Sequence, residues 1–339
     1  EVIVRSTNPA TNLRVTTKYT MVQYPIYSRP VLTKAANQEF NAVTGRLHNI
    51  TTYRRQHYNV RDELNKFVKT YFDEGKIDTL RLFANDKLTY NDAKVLDWLR
   101  DRPDSNKVAE EVETILQEGM QLHSINRLNV HLKLESLLKA EPASSLKQVK
   151  ARALLWQCKG YCAIFSHIFK EAKARLKQLL KPTIVYADGL RADELSARVR
   201  LTTNVHYLME NDLAQQDKQT DHDIIKFEME LYRLLGVHDD VINLWHSSHF
   251  HWKYKSRTVK GAGDAMRLTG QATTALGNAI TNLLVHRKVV DRLGSSLRLF
   301  LVLGDDGLMF TSEKIDLSKL NNETKIKHNM MCKPHISET

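Results

Sequence analysis

The sequence predicts an α+β fold in which an antiparallel sheet is covered by helices on one face. Three observations lead there. Apolar residues recur at helical spacing through residues 61 to 140 and again beyond residue 160, strand-like and helical stretches alternate from Val205 onward, and LFLVLGDDGLMF (299 to 310) reads as a β-hairpin with acids at its tip. With 339 residues, 42% hydrophobic and 26% charged, the chain can bury a large core or two domains and is not compositionally disordered.

Taken in order, residues 1 to 60 mix the β-rich stretch RVTTKYTMVQYPIY with the basic segment RPVLTKAANQEFNAVTGRLHNITTYRRQHYNV. Helices follow in RDELNKFVKTYF, DAKVLDWLRDR and KVAEEVETILQEGMQLH; Asn91 supplies an N-cap and Pro103 a stop. KLESLLKAEPASSLKQVKAR is a short basic connector, and the long amphipathic helix YCAIFSHIFKEAKARLKQLL ends at Lys181-Pro182. The later part runs from a strand (VHYLMEND) to a helix (DIIKFEMELYRLLGV), a basic extended stretch (WKYKSRTVKGAGDAMRL), a second helix (TTALGNAITNLLVHRKVV) and the acidic hairpin. No internal repeat is present, and with only 13 Gly and 7 Pro no linker stands out.

Charge narrows the function classes. Fifty Lys and Arg against 39 acids give a net charge of +11 and a pI near 9.4, the balance of a protein that meets polyanions. Three cysteines, Cys158, Cys162 and Cys332, form no even framework and no CxxC zinc spacing, which points to free thiols in a reducing compartment. No apolar run approaches a membrane span. EVIVRSTNPATN is neither a signal peptide nor an initiator start, so the expectation is a piece of a longer polypeptide.

Asp305 and Asp306 sit between two apolar strands, Leu299 to Leu303 and Leu308 to Phe310. One reading is that Asp306-Gly307 is a turn with Asp305 its solvated neighbour. The other is that two carboxylates on a rigid apolar base hold a hard divalent ion, which takes oxygen ligands. A third acid is available in Asp212, 93 residues upstream at the end of a predicted strand, with Asp217 five residues on. Adjacent strands in one sheet would bring Asp212 to the hairpin tip, and such a set can hold two Mg²⁺ roughly 4 Å apart for an in-line phosphoryl transfer. Taken singly, Asp212 and Asp217 equally suit a helix N-cap and its solvated neighbour. Between the acids, Thr269-Gly270 makes a tight turn, and Thr274 and Asn278 fall at i and i+4 on one helix face. There they can read a sugar hydroxyl or form an ordinary capped helix whose small residues pack closely.

DLAQQD, TGQATTALGN and GDD, in this order, resemble motifs A, B and C of viral RNA-dependent RNA polymerases. The chain looks most like the alphavirus-like supergroup, which includes tobamovirus-like, closterovirus-like and endornavirus-like replicases. KGYCAIFSHIFKEAKARL is similar to the helix preceding motif A there, HNMMCKPHISET to the motif D segment, and YPIYSRPVLTKAANQEFNAVTGRL fits the N-terminal fingers in a general way. The resemblance implies a right-hand polymerase with fingers and an antiparallel palm sheet backed by helices. Residues 1–202 would be fingers and N-terminal region, 203–221 palm with motif A, 222–266 a fingers insertion, and 267–339 palm with motifs B, C and D. A motif E hairpin and a thumb, missing here, would follow Thr339.

By the same resemblance, Asp212 and Asp305 ligate the metals, Mg²⁺ with Mn²⁺ as the alternative ion, and Asp306 supports them. Asp217 and Asn278 select ribose, while Thr269, Gly270 and Thr274 shape the nucleotide and template pocket. Lys333 is the motif D general acid for the pyrophosphate leaving group, and Lys139, Lys150 and Arg152 are the motif F cations facing the triphosphate. Gln271 departs from the acid usual in that supergroup, and Asn211 before the motif A acid is also unusual. The implied partners are nucleoside triphosphates, RNA template and product duplex, and helicase and capping domains of one replicase polyprotein. The implied setting is a membrane-associated replication complex in the host cytoplasm. The competing readings are a reverse transcriptase-like polymerase, disfavoured because DNA synthesis needs a bulky steric gate where Asp217 and Asn278 stand, and a catalytically silent RNA-binding module. His246, His249 and His251 lack a nearby Cys or acid in ligand spacing and read as surface or core residues rather than zinc ligands. Cys158 and Cys162 mark one turn of helix packing. Lys253, Lys255, Arg257 and Lys260, beside Trp252 and Tyr254, form either a solvated ribbon or a contact with the template or product backbone.

Overall fold

The computed structural model describes residues 5–6, 36–48, 51–53, 57–100, 102–133, 152–256 and 258–339. The β-rich stretch expected within residues 14–27, most of the basic connector, Lys139, Lys150 and Arg257 lie outside these residues.

Among the described residues, ten strands form two five-stranded sheets. They are β1 (Arg5–Ser6), β2 (Arg127–Lys133), β3 (Arg152–Trp156), β4 (Ile184–Tyr186), β5 (Tyr207–Leu213), β6 (Trp252–Lys255), β7 (Val259–Gly263), β8 (Leu297–Leu303), β9 (Asp306–Thr311) and β10 (Cys332–Glu338). The first sheet runs β1-β7-β6-β2-β3 and the second β10-β5-β9-β8-β4. The fold is therefore α+β as expected, but neither sheet is purely antiparallel, since β2 pairs parallel to β6 and β4 parallel to β8. All three residues of β4 are buried and apolar, the pattern of a parallel strand covered on both faces. Helices on one face only is likewise corrected. Val185, Leu299 and Phe310 build a second apolar cluster, joined by Leu208, Leu308 and Val199 of the helix Ala192–Arg200.

The helices read from periodicity are present as Val60–Tyr71, Asp92–Arg100, Ser105–Glu118, Lys159–Leu179, His222–Leu234 and Thr274–Leu293. Asn91 caps its helix, accepting from the Lys94 N–H at 3.1 Å. Among the described residues, Ala36–Val43, Ile77–Asn85, Leu122–Ile125, Ala192–Arg200, Gln216–Gln219, Asp239–Ser247 and Leu317–His328 are helices that escaped periodicity. All are short, and Leu317–His328 carries few apolar side chains.

At the centre lies Thr274–Leu293, buried along nearly its whole length and apolar on most sides, as a helix surrounded by other elements must be. Phe67, Tyr71, Phe165, Phe169, Phe227, Tyr232 and Trp245 belong to the core around it, and the Tyr71 hydroxyl donates to the Leu283 carbonyl at 2.6 Å. A separate core of Leu128, Leu132, Leu155, Trp252, Tyr254 and Leu268 lies under the first sheet.

Candidate active site

The acidic hairpin forms, with one correction to its turn. Leu303 pairs with Asp306, so the two-residue loop is Gly304-Asp305 and not Asp306-Gly307. Gly304 has φ +59°, the conformation a II′-type hairpin asks of its first loop residue. Asp306 opens β9 instead, and Gly307 lies buried inside the strand.

Asp212 reaches that tip as its strand position required. It is directly opposite Asp306 across β5 and β9 and opposite Lys333 across β5 and β10. Alternation along β5 exposes Glu210 and Asp212 and buries Met209, Asn211 and Leu213, so both acids look away from the central helix. Burial, then Asp305, Asp212 and Glu210, push the Asp306 carboxyl above its ordinary range. Among the described residues no three His, Cys, Asp or Glu side chains are gathered into a ligand set. The carboxylates stay neighbours without converging, and Asp212 leans toward the Lys333 Nζ, 3.5 Å away, with both side chains more than half exposed.

Asp217 and Asn278 meet as expected. Asp217 lies in the short helix Gln216–Gln219, one turn before Asp221 caps His222–Leu234. Asn278 Nδ2 donates to Asp217 Oδ1 at 3.0 Å, while Asn278 Oδ1 is buried with no partner among the described residues. Thr274 does not join them on that face. Its hydroxyl donates to the Leu268 and Gln271 carbonyls and accepts from the Gln271 N–H, closing the turn before the helix. Thr269 is exposed at the tip of this turn. Gly270 bridges to Trp156 and donates its N–H to the Leu155 carbonyl at 2.8 Å. A Cβ on Gly270 would come within 2.6 Å of the Trp156 Cβ, so the turn needs glycine to approach β3. Gln271 is buried, and its Nε2 finds no partner among the described residues.

Arg152 belongs to β3, paired with Lys133. Registers in the first sheet place Arg127, Asn129, Lys253, Lys255 and Lys260 on one exposed face, with Leu128, Trp252 and Tyr254 on the opposite, buried one. A cavity of about 910 Å³ opens over the basic face, walled across from it by Glu111 and Glu118. The histidines hold no metal geometry. His249 is fully buried, bonded through Nδ1 to the Trp245 carbonyl, with burial lowering its pKa to about 4. Cys158, Cys162 and Cys332 are free thiols.

Two groups escaped the sequence reading. Arg267 and Glu228 form a wholly buried ion pair, and the Arg267 backbone N–H donates to the Asp217 carbonyl at 3.0 Å. Asn282 and His286 continue the face of Asn278 at i+4 and i+8, and Asn282 Nδ2 donates to the Asp305 carbonyl at 2.9 Å. Their signal was visible, since polar residues recur every fourth position in the mostly apolar stretch of residues 275–286.

Residues 29–336 match the family described as RNA dependent RNA polymerase. Similar proteins include the replicase polyprotein 1ab of Beet yellows virus, 24% identical over 252 residues, 72% of this chain and 8% of the relative. Replicase polyprotein 1ab of Grapevine leafroll-associated virus 3 is 25% identical over 295 residues, 84% of this chain and 10% of that protein. RNA-directed RNA polymerase 2a of Tobacco streak virus is 30% identical over 184 residues, 50% of this chain and 22% of its own length. The chain thus spans only a small part of the relatives it matches. With the family matched across nearly its whole length, and the three acidic and asparagine-bearing segments brought to one place, the chain belongs to the RNA-dependent RNA polymerase family and is similar to the polymerase segments of plant-virus replicases.

Proposed function

We propose that the chain carries out template-directed addition of ribonucleotides to an RNA 3′ end, with the second sheet as palm and the first as part of the fingers. The observation that carries this is the register of Asp212 opposite Asp306, beside a turn that holds Asp305. The three carboxylates suit Mg²⁺ or Mn²⁺: they are hard oxygen donors, Asp305 and Asp306 on the hairpin and Asp212 on the adjoining strand β5, and the repulsion that adds to burial at Asp306 is what a divalent cation relieves. Asp212 and Asp305 would hold the ions, with Asp306 in support. The chemistry such ions supply when bound is neutralisation of the attacking and leaving oxygens of an in-line displacement.

In that displacement the primer 3′-oxygen bonds to the α-phosphorus, the bond from phosphorus to the pyrophosphate oxygen breaks, and the 3′-hydroxyl proton passes to solvent. Lys333, alongside Asp212, gives its ammonium proton to the leaving oxygen. Asp217 and Asn278 face the ribose; the unpartnered Asn278 Oδ1 accepts from its 2′-hydroxyl. The exposed Lys253, Lys255, Lys260 and Arg127 meet RNA phosphates, and Trp156, exposed beside the Gly270 turn, offers a surface on which a base stacks. Further domains of a larger replicase are the expected covalent partners, a reading supported by relatives that are polyproteins.

The test is primer extension on an RNA template with labelled ribo- or deoxyribonucleotides. Asp212→Asn and Asp305→Asn are each expected to abolish metal-dependent incorporation in a folded protein. Near wild-type turnover by either would remove the central claim, and equal use of deoxyribonucleotides would favour reverse transcription.

A further inference from the structure

Three buried side chains on the helix side of the second sheet take no part in the chemistry above, yet they join both carboxylate-bearing segments to one rod. Asn282 Nδ2 donates to the carbonyl of Asp305, in the hairpin turn, at 2.9 Å. His286, one helical turn on, donates from Nδ1 to the Asn282 carbonyl at 2.8 Å, and its Nε2 lies 2.5 Å from Asn211 Nδ2. Burial holds this imidazole neutral, with its pKa lowered to about 4, so Nε2 is an acceptor for the Asn211 amide. Asn211 immediately precedes Asp212. Because strand side chains alternate, an Asn211 held to the helix fixes Asp212 toward the opposite face.

Gly307 completes the arrangement. It pairs with Asn211 across β5 and β9, and a Cβ there would sit 3.1 Å from Asn282 Oδ1, 3.3 Å from its Nδ2 and 3.3 Å from Phe300 Cε2. Glycine therefore leaves room for the Asn282 amide to lie over the strand and reach the turn.

We propose that Asn282, with His286 and Asn211 behind it, is a positioning residue that sets the placement of Asp305 relative to Asp212, using the helix Thr274–Leu293 as a common anchor. It touches neither substrate nor metal. Its effect falls on turnover and on metal dependence, because reacting groups misplaced by about 1 Å lose as much as a hundredfold in rate, whereas nucleotide affinity is set elsewhere.

This rests on the polymerase reading, and the experiment separates the two. Steady-state single-nucleotide incorporation is measured for Asn282→Ala, Gly307→Ala and the double variant. Thr281→Val is the packing control, since Thr281 is equally buried on the same helix and its hydroxyl finds no partner among the described residues. Each of Asn282→Ala and Gly307→Ala is expected to lower kcat by about tenfold to a hundredfold and to raise the Mg²⁺ half-saturation concentration, with nucleotide KM within about twofold of wild type. The double variant should lose less than the product of the two single losses, because the added methyl then meets only Phe300 and no amide. Thr281→Val should leave the Mg²⁺ dependence where it was. Multiplying losses in the double variant, an unchanged Mg²⁺ dependence, or the same shift in Thr281→Val would each overturn the proposal. If Asn282→Ala does not fold, Gly307→Ala decides alone by its Mg²⁺ dependence. Asp305→Asn is run alongside: if it stays active, the polymerase assignment of Asp305 has failed, and if it is dead while the cycle is additive, only the positioning role has.

Discussion

Removing the Asn278 side chain should narrow the preference for ribo- over deoxyribonucleotides by an amount the local geometry bounds. Asn278 is only 7% exposed, so water does not replace a lost amide there. One amide hydrogen goes to Asp217 Oδ1, and Oδ1 of Asn278 is the atom left to accept a ribose hydroxyl. If Asn278 reads the ribose as proposed, Asn278→Ala deletes one hydrogen bond made to ribose and none made to deoxyribose. A net value of about 0.5 to 1.5 kcal/mol for such a bond, at 1.36 kcal/mol per factor of ten, predicts a narrowing of roughly two- to thirteenfold. The assay is single-nucleotide incorporation with CTP and dCTP opposite a template G, comparing kcat/KM. The ribonucleotide value should fall by that factor while the deoxyribonucleotide value stays nearly level. Asn278→Asp should do worse on both, because it sets a second carboxylate against Asp217. Equal losses for CTP and dCTP in Asn278→Ala would refute the reasoning and leave Asn278 as a packing residue.

Further expectations concern the surroundings of this site. Arg267 and Glu228 are 0% and 1% exposed, so Arg267→Met should cost about 3 to 5 kcal/mol by leaving a buried charge uncompensated. Adding Glu228→Gln should recover much of that, read as urea midpoints of the three variants; no recovery would mean the pair is not what holds this region. Asp306 keeps its proton in the folded state to a higher pH than its ordinary value of 3.8. Stability therefore falls as pH rises through the raised value. In chelator, Asp306→Asn should unfold at a higher temperature than the parent at pH 7, with the gain vanishing once the pH is below 3.8; a gain independent of pH would contradict the charge explanation. Replacing Lys253 and Lys255 by Gln should reduce the slope of log affinity for single-stranded RNA against log salt by about 0.7 per lysine. An unchanged slope would remove this sheet face from the RNA path.

Much of the candidate site's arrangement was legible before any fold was known, because its residues announce themselves in short local patterns. The doubled acid between apolar strands, the strand-end Asp212, and the i, i+4 spacing of Thr274 and Asn278 all rest on periodicities of two and 3.6 that a linear sequence displays. The six stretches with clear helical periodicity became helices for the same reason. The misread turn shows where local reasoning ends. Asp306-Gly307 and Gly304-Asp305 are both acceptable loop pairs, and the choice was made by β5, whose pairing with β9 begins opposite Asp306.

What tertiary structure alone decided is which polar atoms are spent and which are left over. Thr274 and Asn278 look equivalent on a helical wheel, yet the Thr274 hydroxyl is consumed by the Leu268 and Gln271 carbonyls, while one buried acceptor of Asn278 has no partner among the described residues. Asn282 and His286 likewise gained meaning only when the Asp305 carbonyl and the Asn211 amide arrived beside them from segments distant in sequence. The parallel pairing of β4 with β8, and of β2 with β6, was not read from sequence, because a short apolar run such as that of β4 shows burial on both faces without naming the strand beside it. Periodicity tells a residue which way to face. A hydrogen bond is settled by whatever the rest of the chain places within about 3 Å of it, and that is known only after folding.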